Sequence, residues 1–262
     1  EMAMRKKGEI LGLAEIARPD YVLISSIGST HIEFLGSKRN IALAKAEIFR
    51  FKKQKDKTYY TVLNQYMNYF DTVKTIAGHN GFQVKTIKEK DFLKSNQQIV
   101  TELALKLGIP KPDIQNVLQN FQTESPHRQT VIKWNNNILI DDTYNANPES
   151  MRFAIQKMIK DFPGHKKIVV IGEMKELGAF VEKEHGELIE YILNNKSINS
   201  VCFLGNTYKK IEKKQEKCYY FLEKTEVVQH LISQKLSNFA LLFKGSRSIK
   251  MEEIIEHLLK KP

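Results

Sequence analysis

The 262 residues are 42% hydrophobic and 10% aromatic, enough apolar side chain for one large or two modest domains and too much for a disordered chain. Lysine and arginine (41) outnumber aspartate and glutamate (30), and the net charge of +11 points to anionic partners without choosing among nucleotides, nucleic acid and a membrane surface. No apolar run reaches the roughly 18 residues of a membrane span, no signal peptide opens the sequence, and Cys202 and Cys218 form neither a CxxC pair nor a disulfide framework; a soluble cytoplasmic protein that binds no nucleic acid is expected.

The sequence opens EMAMRKKGEI, without an initiator methionine and inside what reads as an ordered segment, so a piece of a longer protein is expected. DYVLISSI (20–27) reads as a buried strand. SKRNIALAKAEIFRF (37–51) reads as a helix capped by Ser37, with Ile41, Ala44, Ile48 and Phe49 as its apolar stripe and Lys45 at the stripe's edge. TYYTVLN (58–64) is a second strand, and TELALKLGI (101–109) a helix ending at Gly108. A short helix and a turn-rich connector fill 110–128, which places a domain boundary near Thr123 to His127 and divides the chain into 1–124 and 125–262.

The second half alternates more regularly. NNILIDD (136–142), KIVVIGE (167–173), SVCFLGN (200–206) and FALLFKGS (239–246) are short apolar strands. Met151, Ala154, Ile155, Met158, Ile159 and Phe162 share one helical face, with Asn147 as N-cap and Pro148 as first helical residue. Further helices are expected over 182–194, 224–236 and the terminal KMEEIIEHLLKK. Strands alternating with helices imply an α/β fold, and near-continuous apolar strands imply a mainly parallel sheet covered on both faces.

Ligands of such sheets sit beyond the carboxyl ends of the strands. There the sequence places Asp141, Asp142, Tyr144, Asn145 and Asn147, ahead of a helix N-terminus that favours phosphate. A turn and a helix cap account for Asn147 and one aspartate, leaving three polar groups to explain. GEMKELG (172–178) and KGSRS (244–248) also end strands; Gly172 and Gly245 permit close backbone approach to a ligand, and Lys244 and Arg247 offer charge to a carboxylate or phosphate. In the first half, His31 and Glu33 follow a turn at Gly28. Lys45 is read either as a snorkelling lysine or as an amine held near an anionic site, and its spacing favours the first. The sequence holds no G-x-x-x-x-G-K-[ST], no G-x-G-x-x-G and no G-x-S-x-G.

Taken in order, the first 49 residues, the His127–Arg128 pair, IDDTYNANPESM, IGEMKELG with the later EKEHGEL, and KGSRSIKMEEII resemble the Mur ligases. The likeness is strongest to the branch that joins D-alanyl-D-alanine to UDP-N-acetylmuramoyl-tripeptide, through the wording of DDTYNANP and GEMKELG. It implies an α/β chain made of part of the Mur-ligase central ATPase domain, downstream of its P-loop, followed by a Rossmann-like C-terminal domain with a mainly parallel sheet. It further implies ATP and Mg2+ as cofactors, with Glu1, His31 and Lys45 at the metal and Lys45 and His31 catalytic; Lys45 matches the lysine that the family carbamylates. Arg128, Asp142, Asn145 and Asn147 would line the nucleotide site, and Lys244, Ser246 and Arg247 would face the incoming dipeptide. The implied reaction is ATP-driven amide formation through an acyl phosphate, in peptidoglycan precursor synthesis, by a monomer whose present stretch is inactive alone. One departure is clear: the family's adenine-contacting His-Asn pair is absent from DFLKSNQQIVTELALKLGIP, which keeps only Asn96, and AGHNG (77–81) lies too early to replace it. A degenerate module that binds a nucleotide or partner without catalysis is the alternative expectation.

Overall fold

The computed structural model describes residues 2–54, 56–121 and 125–260. The chain divides into two compact units, Glu1–Gln122 and Thr123–Pro262.

The first unit opens with helix α1 (Glu9–Ala17), whose first turn is pinned by a buried carboxylate: both oxygens of Glu47 accept from the Gly8 amide, at 2.9 and 2.8 Å. A negative charge at a helix N-terminus meets unsatisfied amides and the positive end of the macrodipole, which is how Glu47 tolerates burial. Strand β1 (Tyr21–Leu23) leads through a long loop to α2 (Ile32–Leu35) and α3 (Lys38–Lys45). Ser37 caps α3 by accepting from the Asn40 amide at 3.1 Å, as its position predicts. The helix expected to run on to position 51 tightens after Lys45 into a 3-10 turn, Ala46–Phe49. Strands β2 (Tyr59–Asn64) and β3 (Phe82–Ile87), with α4 (Phe70–His79) between them, complete a parallel sheet in the order β1-β2-β3. Helices α5 (Phe92–Lys106) and α6 (Lys111–Asn120) follow.

Three further features of this unit depart from expectation. Strand β1 stops at Leu23 because it pairs with β2 only from Tyr21 to Leu23, and residues 24–31 go to a loop. Helix α4 and strand β3 were not anticipated, although FQVKTI alternates in burial along most of its length. Helix α5 begins at Phe92 rather than 101, capped by Asp91, which accepts from the Lys94 amide at 3.0 Å. Its inner face was disguised because one buried member is Ser95, whose hydroxyl takes a 2.7 Å hydrogen bond from Asn64 at the end of β2. The HN of AGHNG closes α4, where Asn80 donates to the Ile76 carbonyl at 2.8 Å.

The second unit is a six-stranded sheet. A hairpin turning at Asn135 joins β4 (Thr130–Trp134) to β5 (Asn137–Asp141), the one antiparallel pair among the described residues. Then α7 (Pro148–Asp161), β6 (Lys166–Gly172), α8 (Val181–Leu193), β7 (Ser200–Leu204), α9 (Asn206–Lys210), β8 (Cys218–Phe221), α10 (Lys224–Ser233), β9 (Phe239–Lys244) and α11 (Glu252–Leu259) alternate along the chain. The sheet order is β4-β5-β9-β6-β7-β8, all parallel after β4. One face packs Leu139, Ile168, Val170, Leu204 and Phe243 against Val227 and Leu231 of α10 and Ile254 and Leu258 of α11. Strand alternation turns Ile140, Val169, Ile171, Phe203 and Leu242 to the other face, where they are equally buried. Among the described residues no helix is long and apolar enough to cross a membrane.

Candidate active site

Strand β5 delivers two aspartates with different surroundings. Asp141 Oδ2 receives the His127 Nδ1–H at 2.7 Å, and its Oδ1 accepts from the Thr143 hydroxyl at 2.7 Å and amide at 3.2 Å. Asp142 continues the ladder through its amide, which donates to the Phe243 carbonyl, and turns its carboxylate to Lys244, 2.7 Å away. Lys244 is 3% exposed, and its amine also donates to the Asn145 carbonyl at 2.8 Å. Burial pulls its pKa below the ordinary lysine value; Asp142 works against that shift and Arg128 adds to it. Arg128 is exposed and lies over the Tyr144 ring, with Cζ 4.1 Å from the centroid. Asn145 Oδ1 accepts from the Ala146 amide, and Asn147 forms a capping box with Ser150 at the start of α7. Arg128, Asp142 and Asn145 therefore gather in one strand-end cluster together with Lys244, while Asn147 borders it as a helix cap.

The ends of β6 and β9 are stitched together. Ser246 donates its amide to the Glu173 carbonyl at 3.0 Å, and its hydroxyl accepts from the Lys175 amide at 2.8 Å. Glu173 is buried and holds the Lys175 amine at 2.6 Å and the Thr207 amide at 2.7 Å. Burial pushes its carboxyl pKa up, but those two partners outweigh burial and leave it below the usual value. A Cβ at Gly205 would lie 2.4 Å from Glu173 Cγ, and Gly205 has φ +125, so this neighbour must be glycine. Behind the loop, fully buried His185 accepts the Met174 amide on Nε2 at 3.0 Å and donates from Nδ1 to the Val181 carbonyl at 2.7 Å. Burial lowers its pKa, in keeping with the neutral ring this pairing requires. The joint appearance of GEMKELG and EKEHGEL thus has a structural cause that sequence reading missed; its signal was a histidine on the apolar face of α8.

Gly172 and Gly245 were expected to admit a ligand. Their space is taken instead by Met251: a Cβ would lie 2.6 Å from its Sδ at Gly172 and 2.7 Å from its Cγ at Gly245. Arg247, half-exposed, binds Glu252 at 2.6 Å. Between the ends of β6, β7 and β8 and the start of α11, a cavity of about 580 Å³ opens, bordered by Glu173, Asn206, Lys224, Ser248 and Glu253.

In the first unit, the Lys45 amine donates to the Ser26 carbonyl at 2.7 Å, in the loop after β1 that also carries His31. His31 is left-handed at φ 67 and starts α2. Fold and sequence thus bring Lys45 to the histidine-bearing loop. Glu1 lies outside the described residues, and among those described no three His, Cys, Asp or Glu side chains are grouped to hold a metal ion.

Residues 1–109 match the model of the Mur ligase middle domain, and residues 127–247 that of the Mur ligase glutamate ligase domain. The chain belongs to the Mur ligase family. It is 30% identical over 298 aligned residues to the UDP-N-acetylmuramoyl-tripeptide–D-alanyl-D-alanine ligase of Buchnera aphidicola subsp. Acyrthosiphon pisum (strain APS), covering 99% of this chain and 64% of that relative. Among solved structures, MurF from Acinetobacter baumannii is similar over 98% of this chain and 63% of its own, with a TM-score of 0.89 at 23% identity. The MurF ligase of Thermotoga maritima in complex with ADP matches over 100% of this chain and 66% of its own, with a TM-score of 0.84 at 23% identity. The Mur ligase chain described here therefore spans about two thirds of the length of these relatives, and at these identities the structural likeness establishes the fold.

Proposed function

We propose that this chain is the part of an ATP-dependent ligase that binds nucleotide and the incoming amine, in an enzyme that joins D-alanyl-D-alanine to UDP-N-acetylmuramoyl-tripeptide. The observation that carries the reading is the DDTYNANP loop at the carboxyl end of β5, held beside Arg128 and Lys244 in a chain that aligns almost end to end with ligases of that name. The ADP held by the Thermotoga maritima structure supports a nucleotide at this fold.

In the proposed reaction a carboxylate oxygen of the tripeptide attacks the γ-phosphorus of ATP and ADP departs, giving an acyl phosphate. The dipeptide amine then attacks the acyl carbon, loses a proton and expels phosphate. Such chemistry depends on positioning and on neutralising charge that develops on phosphate oxygens. Arg128, exposed and steadied on Tyr144, would face the nucleotide phosphates; Asp142, Asn145 and Asn147 would border its sugar and base. Lys244 would act from behind, fixing Asp142 and the Asn145 main chain, while Ser246 and Arg247 would border the amine side.

Magnesium would supply charge neutralisation at the phosphates, held by Glu1, His31 and Lys45. A free ammonium does not suit a hard dication, but a carbamylated lysine presents carboxylate oxygens that do. The expectation for the full-length enzyme containing this chain is ATP-dependent phosphate release with both substrates. In that enzyme Lys45→Ala should lower kcat on the order of 100-fold, with partial rescue by short carboxylates. An unchanged rate in Lys45→Ala would remove Lys45 from the mechanism; no phosphate release with D-alanyl-D-alanine, or preference for a single amino acid, would overturn the assigned substrate.

A further inference from the structure

We infer that Asp141 and His127 are positioning residues that hold Arg128 over Tyr144, so that the two adjacent aspartates at the end of β5 have separate tasks. The inference deepens the reading of Arg128 as a nucleotide contact and rests on it.

Three residues carry the argument on the backbone side. His127 has φ 62 and Gln129 has φ 56, so Arg128 sits between two left-handed, non-glycine residues. A left-handed φ is strained for any residue with a Cβ, and a pair persists only where surrounding contacts over-determine it. Those contacts are present on both sides of the His127 peptide. Its ring is bound to Asp141 Oδ2 at 2.7 Å, and its carbonyl accepts the Tyr144 amide at 3.0 Å. The chain leaving this clasp sets the Arg128 guanidinium on the Tyr144 ring, at 4.1 Å.

Asp141 is built for this task. Its second oxygen is held by the hydroxyl and amide of Thr143, so the carboxylate cannot swing away from His127. Both oxygens are occupied within the chain, and Asp141 is 6% exposed, which leaves little to offer a ligand. Arg128 has the opposite character: it is exposed and its guanidinium stacks on a ring, an arrangement that leaves the N–H groups at its edge able to donate to an anionic partner.

The test is a set of variants in the full-length ligase, read as KM for ATP and kcat separately. Asp141→Asn and His127→Ala should each raise KM for ATP about tenfold, the factor expected when one charge-assisted hydrogen bond is lost, with kcat changed less than about threefold. His127→Asn, which keeps an N–H donor toward Asp141, should stay within about twofold of the parent. Arg128→Ala should raise KM by a similar factor, and Asp141→Asn added to Arg128→Ala should cost nothing more. A general loss of structure would instead lower kcat with KM little changed, in the single variants and on top of Arg128→Ala alike, and that outcome overturns the positioning role. If Arg128→Ala raises KM while Asp141→Asn and His127→Ala do not, the positioning role fails and the nucleotide reading of Arg128 stands. If Arg128→Ala leaves KM unchanged, the reading of Arg128 fails and takes this inference with it.

Discussion

Lys45 in the first unit and Lys244 in the second both give up solvent, but to different degrees: Lys45 is half-buried and Lys244 almost wholly buried. Lys45 donates to a main-chain carbonyl at Ser26, a neutral dipole in a loop. Lys244 meets the Asp142 carboxylate and, with 3% exposure, belongs to a cluster in which His127, Asp141, Glu173, Lys175 and Ser246 are likewise bound to other parts of the chain. Side chains of the kinds that bind ligands are, at the second unit's strand ends, largely engaged in holding the loops that present others. Position beyond a strand's carboxyl end is therefore not enough to identify a contact residue; what its polar atoms already hold decides.

The largest effect expected from this contrast is on stability. Lys244→Met leaves Asp142 without its counter-ion, which should cost about 3 kcal/mol and lower the melting temperature of the second unit by roughly 10 °C. Lys45→Met removes a hydrogen bond from a half-buried amine and should lower the first unit's melting temperature by less, because less of that lysine has left water. Equal losses would erase the distinction between the two lysines. A smaller effect is expected at Gly205, where alanine meets both a positive φ and the Glu173 side chain; Gly205→Ala should destabilise the second unit by about 2 kcal/mol in urea unfolding. No loss there would mean that the Glu173 cluster yields easily and is not a rigid scaffold.

The smallest effect is a pH dependence. The folded-state pKa of His185 lies below its ordinary value of 6.5, chiefly through burial. Below 6.5 the unfolded chain takes up a proton that the folded ring resists, so stability from this residue is complete above that pH and is lost as pH falls toward the folded pKa. Melting temperatures of the parent should consequently drop more between roughly pH 7 and pH 5 than those of His185→Gln. Parallel slopes would show that His185 does not titrate with unfolding.

Much of this was legible because the signals were local. Ser37 and Asn147 were recognisable as caps because an N-cap bonds an amide three residues ahead, and the apolar runs of β5, β6, β7 and β9 were recognisable because a strand buried on both faces admits little else. Strand β3 and helix α5 were obscured for a converse reason. The buried face of α5 includes Ser95, and only its bond to Asn64, 31 positions earlier, makes a serine acceptable there. The glycines 172 and 245 were correctly singled out as close approaches, but what approaches is Met251 of the same unit.

The α/β alternation, the Mur ligase resemblance and the strand ends at which polar residues collect could all be read along the chain, since periodicity, caps and motif order are properties of neighbours in it. Which polar atoms at those ends are already taken emerges from folding alone: Asp141 belongs to His127, Asp142 to Lys244, Ser246 to the Glu173–Lys175 loop and the Met174 amide to His185. These pairings join residues up to 102 positions apart, and a hydrogen bond or ion pair depends on ångström distances that no spacing in a linear sequence encodes.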